Sequence, residues 1–302
     1  MVAATKPSGS DAEARVELIL RDRWVNYPQG SVAIERLGEL LRGARRTRMP
    51  SLLIFGEPDI GKTTILKKFM RGHDATIDEQ TGRKKADVVA FEAPPEADER
   101  RLYAAILRAI GAPIPRGQVV ELESATYAQL ERLDTRLLVI DETNNLTIGS
   151  ATAQRRTLAA LRRLANQLAL SFAFLGTAEA LNAVMSDPQV EGRSQPFKLT
   201  RLRNDADYAA IVQAVIAYLP LQRPSLCDGG MVAAVHNLTA GSPGRTFRLL
   251  NAAAVRAIDD ASEQITIDLC QSACKRDPFR GEIGVQKGPL WQVGFEGARQ
   301  SG

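Results

Sequence analysis

Residues 51–63, SLLIFGEPDIGKT, constrain the fold of this chain more than any other stretch. Leu52, Leu53, Ile54 and Phe55 form an apolar run too short for a helix and bounded by Gly56, as a buried strand is. Gly56-Glu57-Pro58-Asp59-Ile60-Gly61-Lys62-Thr63 then fits the phosphate-loop pattern G-x-x-x-x-G-K-[ST] without a mismatch. Thr64 and the residues to Met70 continue as a helix. Gly56 and Gly61 permit a close approach that a β-carbon obstructs, so the loop N–H groups and the helix N-terminus can face a polyphosphate. In this reading residues 56–64 hold the phosphates, Lys62 reaches the β- and γ-phosphates, and the Thr63 hydroxyl binds Mg²⁺. The ligand expected is a nucleoside triphosphate.

A second apolar run, Leu137-Leu138-Val139-Ile140, ends in Asp141-Glu142. It reads as a buried strand whose carboxyl end carries two acids. Asp141 is placed to hold the Mg²⁺ shell and Glu142 to polarise an attacking water. Many strands end in acids, so the pattern takes its meaning from the phosphate loop. The adjacent glutamate favours an ATPase over a small-molecule kinase, and over a switch-type GTPase, which positions water with a different residue. Residues 171–176, SFAFLG, read as a further buried strand that presents Thr177 where a γ-phosphate is sensed. Arg193 precedes a strand at about 197–200; it is either a surface arginine or one that reaches a neighbouring subunit's γ-phosphate. Arg245, near the start of the helix in GSPGRTFRLLNAAAVRAI, can project back to the nucleotide.

The remaining chain reads as mostly helical. Residues 1–12 form a loose tail, a helix runs from Asp11 to Trp24, and Pro28 and Gly30 interrupt it before Ser31 caps a helix to about Leu41. Tyr27 lies where an adenine pocket often forms. RGARRTR at 42–48 is either a solvated linker or a phosphate-contacting segment. Residues 72–86 read as a polar loop, 87–91 as a strand, 99–110 and 124–133 as helices. The helix at 153–169 buries Leu158, Leu161, Leu164 and Leu168, with Arg155, Arg156, Arg162 and Arg163 on its other side. No acid lies between Thr143 and Ala178, so the stripe fits duplex DNA, a subunit contact or a solvated face. Further helices are expected at 207–218, 230–238 and 264–276, and a flexible tail at 277–302.

Composition sets the frame. A chain of 302 residues that is 44 % hydrophobic can bury a full core and divide into two domains. A net charge of +4 permits a nucleic-acid partner without demanding one. Three cysteines and two histidines form no metal-ligand pattern. No apolar run approaches the ~20 residues of a membrane span, and the N-terminus lacks an apolar signal core. A cytoplasmic protein with no membrane partner is expected.

GEPDIGKTTILKKF, LLVIDETNNLTIGSATAQRRTLAALRRLANQL, FLGTAEA, the Arg193 region and GSPGRTFRLLNAAAV, in that order and spacing, resemble the TniB family over about residues 15–275. Those proteins are AAA+ ATPases of bacterial transposons, related to the TnsC target-selection regulators. The resemblance implies an ATP-dependent regulator that binds double-stranded DNA, forms a homo-oligomer or filament, and recruits a transposase, with a TniQ-like adaptor as a further partner. Carried over by position, it assigns Lys62 and Thr63 to the phosphates, Asp141 and Glu142 to metal and water, and Thr177 to sensing. Arg193 becomes the trans-acting finger and Arg245 the second sensor. Glu57-Pro58-Asp59 departs from the pattern by placing two acids near a polyphosphate. A helicase-loader ATPase of DNA replication shares the same motor residues and stays open as the alternative.

The fold expected is α/β: a P-loop AAA+ parallel sheet flanked by helices, followed by a small helical lid. By residue, 1–45 is an N-terminal tail and helical extension, 46–204 the nucleotide-binding domain, 205–276 the lid and 277–302 the tail. ATP and Mg²⁺ are the expected cofactors.

Overall fold

The computed structural model describes residues 9–21, 23–46, 48–185 and 191–275; the tail expected at 277–302 lies outside them, as do residues 1–8. The chain forms two compact units. The larger comprises Ser31–Pro58 and Lys62–Leu199; the smaller comprises the described residues up to Gly30, the loop residues Asp59–Gly61, and the described residues from Thr200.

In chain order the elements begin with helices α1 (Gly9–Leu20) and α2 (Pro28–Arg42), strand β1 (Ser51–Phe55) and helix α3 (Lys62–Met70). A hairpin of β2 (Thr76–Ile77) and β3 (Lys84–Lys85) follows, then β4 (Val88–Glu92), α4 (Glu99–Ala109), α5 (Val119–Arg132) and β5 (Leu137–Asp141). After a 3-10 turn at Thr143–Thr147 come α6 (Ala151–Leu168), β6 (Ser171–Gly176), α7 (Ala178–Met185) and β7 (Ser194–Lys198). The smaller unit continues with α8 (Ala206–Tyr218), α9 (Gly229–Thr239), α10 (Pro243–Asp259) and α11 (Ile267–Lys275).

The larger unit is built on a parallel sheet in the order β4-β5-β6-β1-β7. Helices cover parallel strands on both faces, and the inner strands are accordingly continuous apolar runs. Every residue of β5 and β6 is buried. Outer strand β7 is instead largely exposed and polar. It carries Pro196, which has no N–H to donate and suits an edge. One side of the sheet packs through Phe91, Leu138, Ile140 and Phe172 against Leu102 and Ile106 of α4, Leu130 of α5, and Leu161 and Leu164 of α6. The leucines of α6 expected to face inward do so; Leu161 and Leu164 are fully buried and Leu158 and Leu168 half-buried.

Several boundaries differ from those read in the sequence. Helix α1 ends at Leu20 and leaves Trp24 outside, and α2 starts at Pro28 instead of Ser31. Proline at the first helical position loses no hydrogen bond and has the right φ. Gly30 is accommodated inside α2 because a β-carbon there would lie 2.7 Å from the Tyr27 ring. Helix α5 begins five residues early, where the Glu121 carboxylate accepts from the Gln118 N–H at 3.4 Å. Strand β7 starts at Ser194 because its register pairs Ser194 with Ser51. The polar loop at 72–86 contains the β2–β3 hairpin, held by Asp78. That carboxylate accepts from the Thr81 N–H and hydroxyl at 2.9 and 2.8 Å and pairs with Lys85 at 2.7 Å.

In the smaller unit, α1 is tied to the far end of the chain. Arg15 donates to both Glu263 oxygens at 2.8 Å and to the Pro220 carbonyl at 3.1 Å. Glu263 is 3 % exposed and Arg15 half-buried, so the carboxylate side of the pair is the one taken out of water. A second polar knot joins the Tyr208 hydroxyl to Thr239 and Thr246, at 3.1 and 2.9 Å. Removing the arginine strands the buried carboxylate charge, so Arg15→Met is expected to cost about 3 kcal/mol at pH 7. The Arg15 guanidinium holds the Glu263 carboxyl below its ordinary range. Its contribution is therefore complete above the unfolded value of about 4.3 and is lost as pH falls through the lower folded value. Urea melts of wild type and variant should differ at pH 7 and converge progressively below about pH 4.

Candidate functional site

Strand β1 delivers the loop 56–61 to the carboxyl edge of the sheet, and α3 begins at Lys62. The Gly56 N–H donates to the Gly176 carbonyl at 3.2 Å, which ties the start of the loop to the end of β6. Gly61 has φ +100, a conformation only glycine adopts without strain. The Lys62 ammonium curls back and donates to the Gly56 and Glu57 carbonyls, each at 3.0 Å. Thr63 lies on the first turn of α3, and its hydroxyl donates to Asp141 Oδ2 at 2.8 Å across 78 residues of sequence. These two hard oxygen donors thus stand side by side.

Asp141 closes β5 and is 3 % exposed. Burial pushes its carboxyl above the ordinary range, opposed by the Thr63 hydroxyl and the Glu142 N–H, which donates to Oδ1 at 2.9 Å. Glu142 is exposed and sits at φ 50, ψ 41, a left-handed conformation that costs a non-glycine residue roughly 1–2 kcal/mol. The kink turns the chain out of the strand directly after Asp141. Thr177 follows β6, between β1 and β5, so it leaves the sheet beside both the loop and the acids. Its hydroxyl accepts from the Ala180 N–H at 3.5 Å and holds the Glu179 carboxyl below its ordinary range. Motif reading passes over Glu92, which ends β4 opposite Asp141. Burial, then the charges of Glu142 and Asp141, push its carboxyl up. A sequence signal for it exists, since VVAFE is an apolar run ending in an acid, as LLVIDE is.

Arg193 stands elsewhere. Its carbonyl accepts from the Ser51 N–H at 2.9 Å and its Nη1 donates to Asn166 at 3.1 Å. Ser51 opens β1, so Arg193 lies at the amino edge of the sheet, a strand length of roughly 17 Å from the loop. The arginine stripe of α6 also resolves into parts. Arg155 Nε donates to the Ala151 carbonyl at 3.3 Å, Arg156 is exposed and Arg162 half-buried. Arg163 corrects the expectation of an unmatched stripe: it pairs with Glu99 of α4 at 2.5 Å and Glu123 of α5 at 3.1 Å. Both acids lie far away in sequence, where no local window reveals them.

In the smaller unit, Tyr27 is 5 % exposed and packs on Trp24, ring centroids 5.5 Å apart. Its hydroxyl has no hydrogen-bond partner among the described residues. A β-carbon on Gly61 would lie 3.0 Å from that oxygen. Asp59 is paired with Arg248 at 2.6 Å, and Arg245 Nε lies 3.9 Å from the same carboxylate. Arg248, one turn beyond Arg245 in α10, carries no motif that singles it out in the sequence.

Fold and site define a P-loop ATPase of the AAA+ class. A family model described as Bacterial TniB protein matches residues 15–204, and the chain belongs to the TniB family. No curated protein sequence matches it. Solved structures share its fold at low identity. The Aeropyrum pernix Orc1 protein, solved in complex with DNA, is 19 % identical with a TM-score of 0.63, over 85 % of this chain and 68 % of that one. Cdc6p from Pyrobaculum aerophilum is 15 % identical with a TM-score of 0.63, over 86 % and 70 %. A Walker-type ATPase of Pyrococcus abyssi is 13 % identical with a TM-score of 0.58, over 85 % and 75 %.

The orphan Tyr27 hydroxyl has a testable consequence. An unsatisfied buried donor is a cost, so Tyr27→Phe is expected to raise the stability of the free protein by up to about 1 kcal/mol. If bound nucleotide supplies the missing partner, saturating ATP should raise the melting temperature of the variant less than that of wild type. Differential scanning fluorimetry with and without ATP checks both.

Proposed function

We propose that this protein is an ATP-dependent, DNA-binding regulator of transposition that assembles on duplex DNA and recruits a transposase. The observation that carries the reading is membership of the TniB family across residues 15–204, which include the phosphate loop, Asp141-Glu142, Thr177 and Arg193. In this reading the loop N–H groups and Lys62 bind the β- and γ-phosphates, and Lys62 exchanges its two carbonyl partners for phosphate oxygens. The Thr63 hydroxyl and the Asp141 carboxylate fit Mg²⁺. Among the described residues no cluster of three ligating side chains exists, and Mg²⁺ beside a nucleotide needs only one or two protein oxygens with water and phosphate completing its shell. Held by these residues, the ion would supply positive charge to offset the negative charge of the phosphates. Glu142, exposed and turned out of the strand, orients the attacking water and takes up its proton. Thr177 senses the γ-phosphate.

The position of Arg193 supports action in trans, because its distance from its own loop leaves a neighbouring copy's phosphate as the target. Arg245 serves as the second sensor. Duplex DNA is the partner supported by the basic balance and by a structural neighbour solved with DNA. Arg155, Arg156 and Arg162 are the contacts proposed on α6. A TniQ-like adaptor and the transposase complete the assembly.

The experiment is electron microscopy and ATPase assay of the protein with duplex DNA. Lys62→Ala is expected to lose nucleotide binding and ATP-dependent assembly together. Glu142→Gln should bind ATP and trap the assembly while hydrolysis falls by about 10²–10⁴-fold. Normal hydrolysis by Glu142→Gln sinks the assignment of the water-orienting residue. Recovery of a replicative helicase, with no transposase, from the native host would replace transposition with helicase loading.

The stripe gives a second prediction. Arg155→Ala combined with Arg156→Ala should flatten the slope of log affinity against log salt by about 0.9 for each phosphate that is no longer neutralised. Binding should weaken equally on unrelated sequences. Arg163→Ala should leave the slope unchanged and lower stability, because its guanidinium serves Glu99 and Glu123.

A further inference from the structure

An acid inside a phosphate loop is electrostatically adverse, and the smaller unit contains an answer to it. Asp59 has φ +63, a left-handed conformation. Its backbone is held there from α10: the Ser242 hydroxyl and the Gly244 N–H both donate to the Asp59 carbonyl, at 2.8 and 3.0 Å. Ser242 is itself 3 % exposed and caps α10 through the Arg245 N–H. A β-carbon on Gly244 would stand 2.5 Å from the Asp59 carbonyl oxygen, so the approach requires glycine. The Asp59 carboxylate is met by Arg248, whose Nη1 donates to Oδ1 at 2.8 Å and whose Nη2 lies 2.6 Å from Oδ2. This two-point geometry is the strong form of an arginine–carboxylate pair. Arg245 stands farther off, 3.9 Å from Oδ2.

We propose that Arg248 is a positioning residue for nucleotide binding: it acts through Asp59, cancelling the loop's adverse charge and fixing its backbone, without touching the nucleotide. The two arginines of α10 then have separate tasks. Arg248 is committed to the loop carboxylate, which leaves Arg245 as the guanidinium that answers to phosphate. The inference rests on the reading of residues 56–63 as the nucleotide site.

The test is sign epistasis in nucleotide affinity, measured by titrating the full chain with a fluorescent ADP analogue. Arg248→Ala uncovers the Asp59 charge and should weaken binding about tenfold, the effect of one uncompensated charge at a partly exposed site. Asp59→Asn removes that charge, leaves the positive Arg248 guanidinium beside the loop without this carboxylate, and suits the left-handed backbone, so it should bind more tightly than wild type. The double variant Arg248→Ala, Asp59→Asn should return to within about threefold of wild type, most of the one-charge penalty being gone. Arg245→Ala should weaken binding in either background. A double variant as weak as Arg248→Ala alone means that Arg248 meets the nucleotide directly, and overturns the proposal. So does wild-type affinity in Arg248→Ala, or a tenfold loss in Asp59→Asn alone. If Arg248→Ala proves too unstable to titrate, Arg248→Lys keeps the charge but not the two-point geometry and should fall between wild type and a tenfold loss. Wild-type behaviour or a full loss in that variant counts against the proposal. A wild-type chain that binds no nucleotide overturns the site reading itself, and Lys62→Ala, expected to abolish binding in every background, separates that failure from failure of the arginine's role.

Discussion

The parallel register of β5, β6 and β1 is the constraint on which the rest of the larger unit depends. It brings the ends of three strands to one edge, so Gly56, Asp141 and Thr177 become neighbours although they are scattered along the chain. The Thr63–Asp141 hydrogen bond is a direct product of that register. A one-residue slip of β5 would turn its buried side chains over and carry Asp141 away from α3. Every residue of β5 and β6 is buried, so such a slip would undo close packing on both faces at once. The edge that gathers the site is thus protected by apolar residues that take no part in its chemistry.

How much of this is legible in the sequence follows from which interactions are local. The inner strands are readable because both faces are covered, which forces the unbroken runs LLIF, LLVI and SFAFLG. Strand β7 is an edge with no fully buried residue, lacks such a run, and reads about three residues late. The β2–β3 hairpin leaves no apolar signature, because it is specified by the hydrogen bonds of Asp78 and not by alternation. Partners distant in sequence are invisible. Arg163 finds acids 64 and 40 residues away, and Arg248 finds Asp59 from 189 residues away. Composition within a window cannot distinguish an arginine of that kind from an unmatched one.

Two non-glycine residues with left-handed backbones, Asp59 and Glu142, belong to the two motifs that carry the chemistry. Such strain persists only where surroundings over-determine it. For Glu142 the restraint is the Asp141 carboxylate, which accepts its N–H, together with the turn closed by Thr143 onto Ile140. For Asp59 it is the amino end of α10. The strained residue of each motif is thus held by different means.

The pair between Arg15 and Glu263 sets an order on biosynthesis. Its partners are separated by 248 residues. At translation rates of about 5–20 residues per second, the α1 arginine, paired locally with Asp11, emerges roughly ten to fifty seconds before its distant partner Glu263. During that interval the larger unit, whose strands lie wholly between the two, can complete its sheet. The smaller unit must wait for its last helices to leave the ribosome, with α1 held in reserve until then.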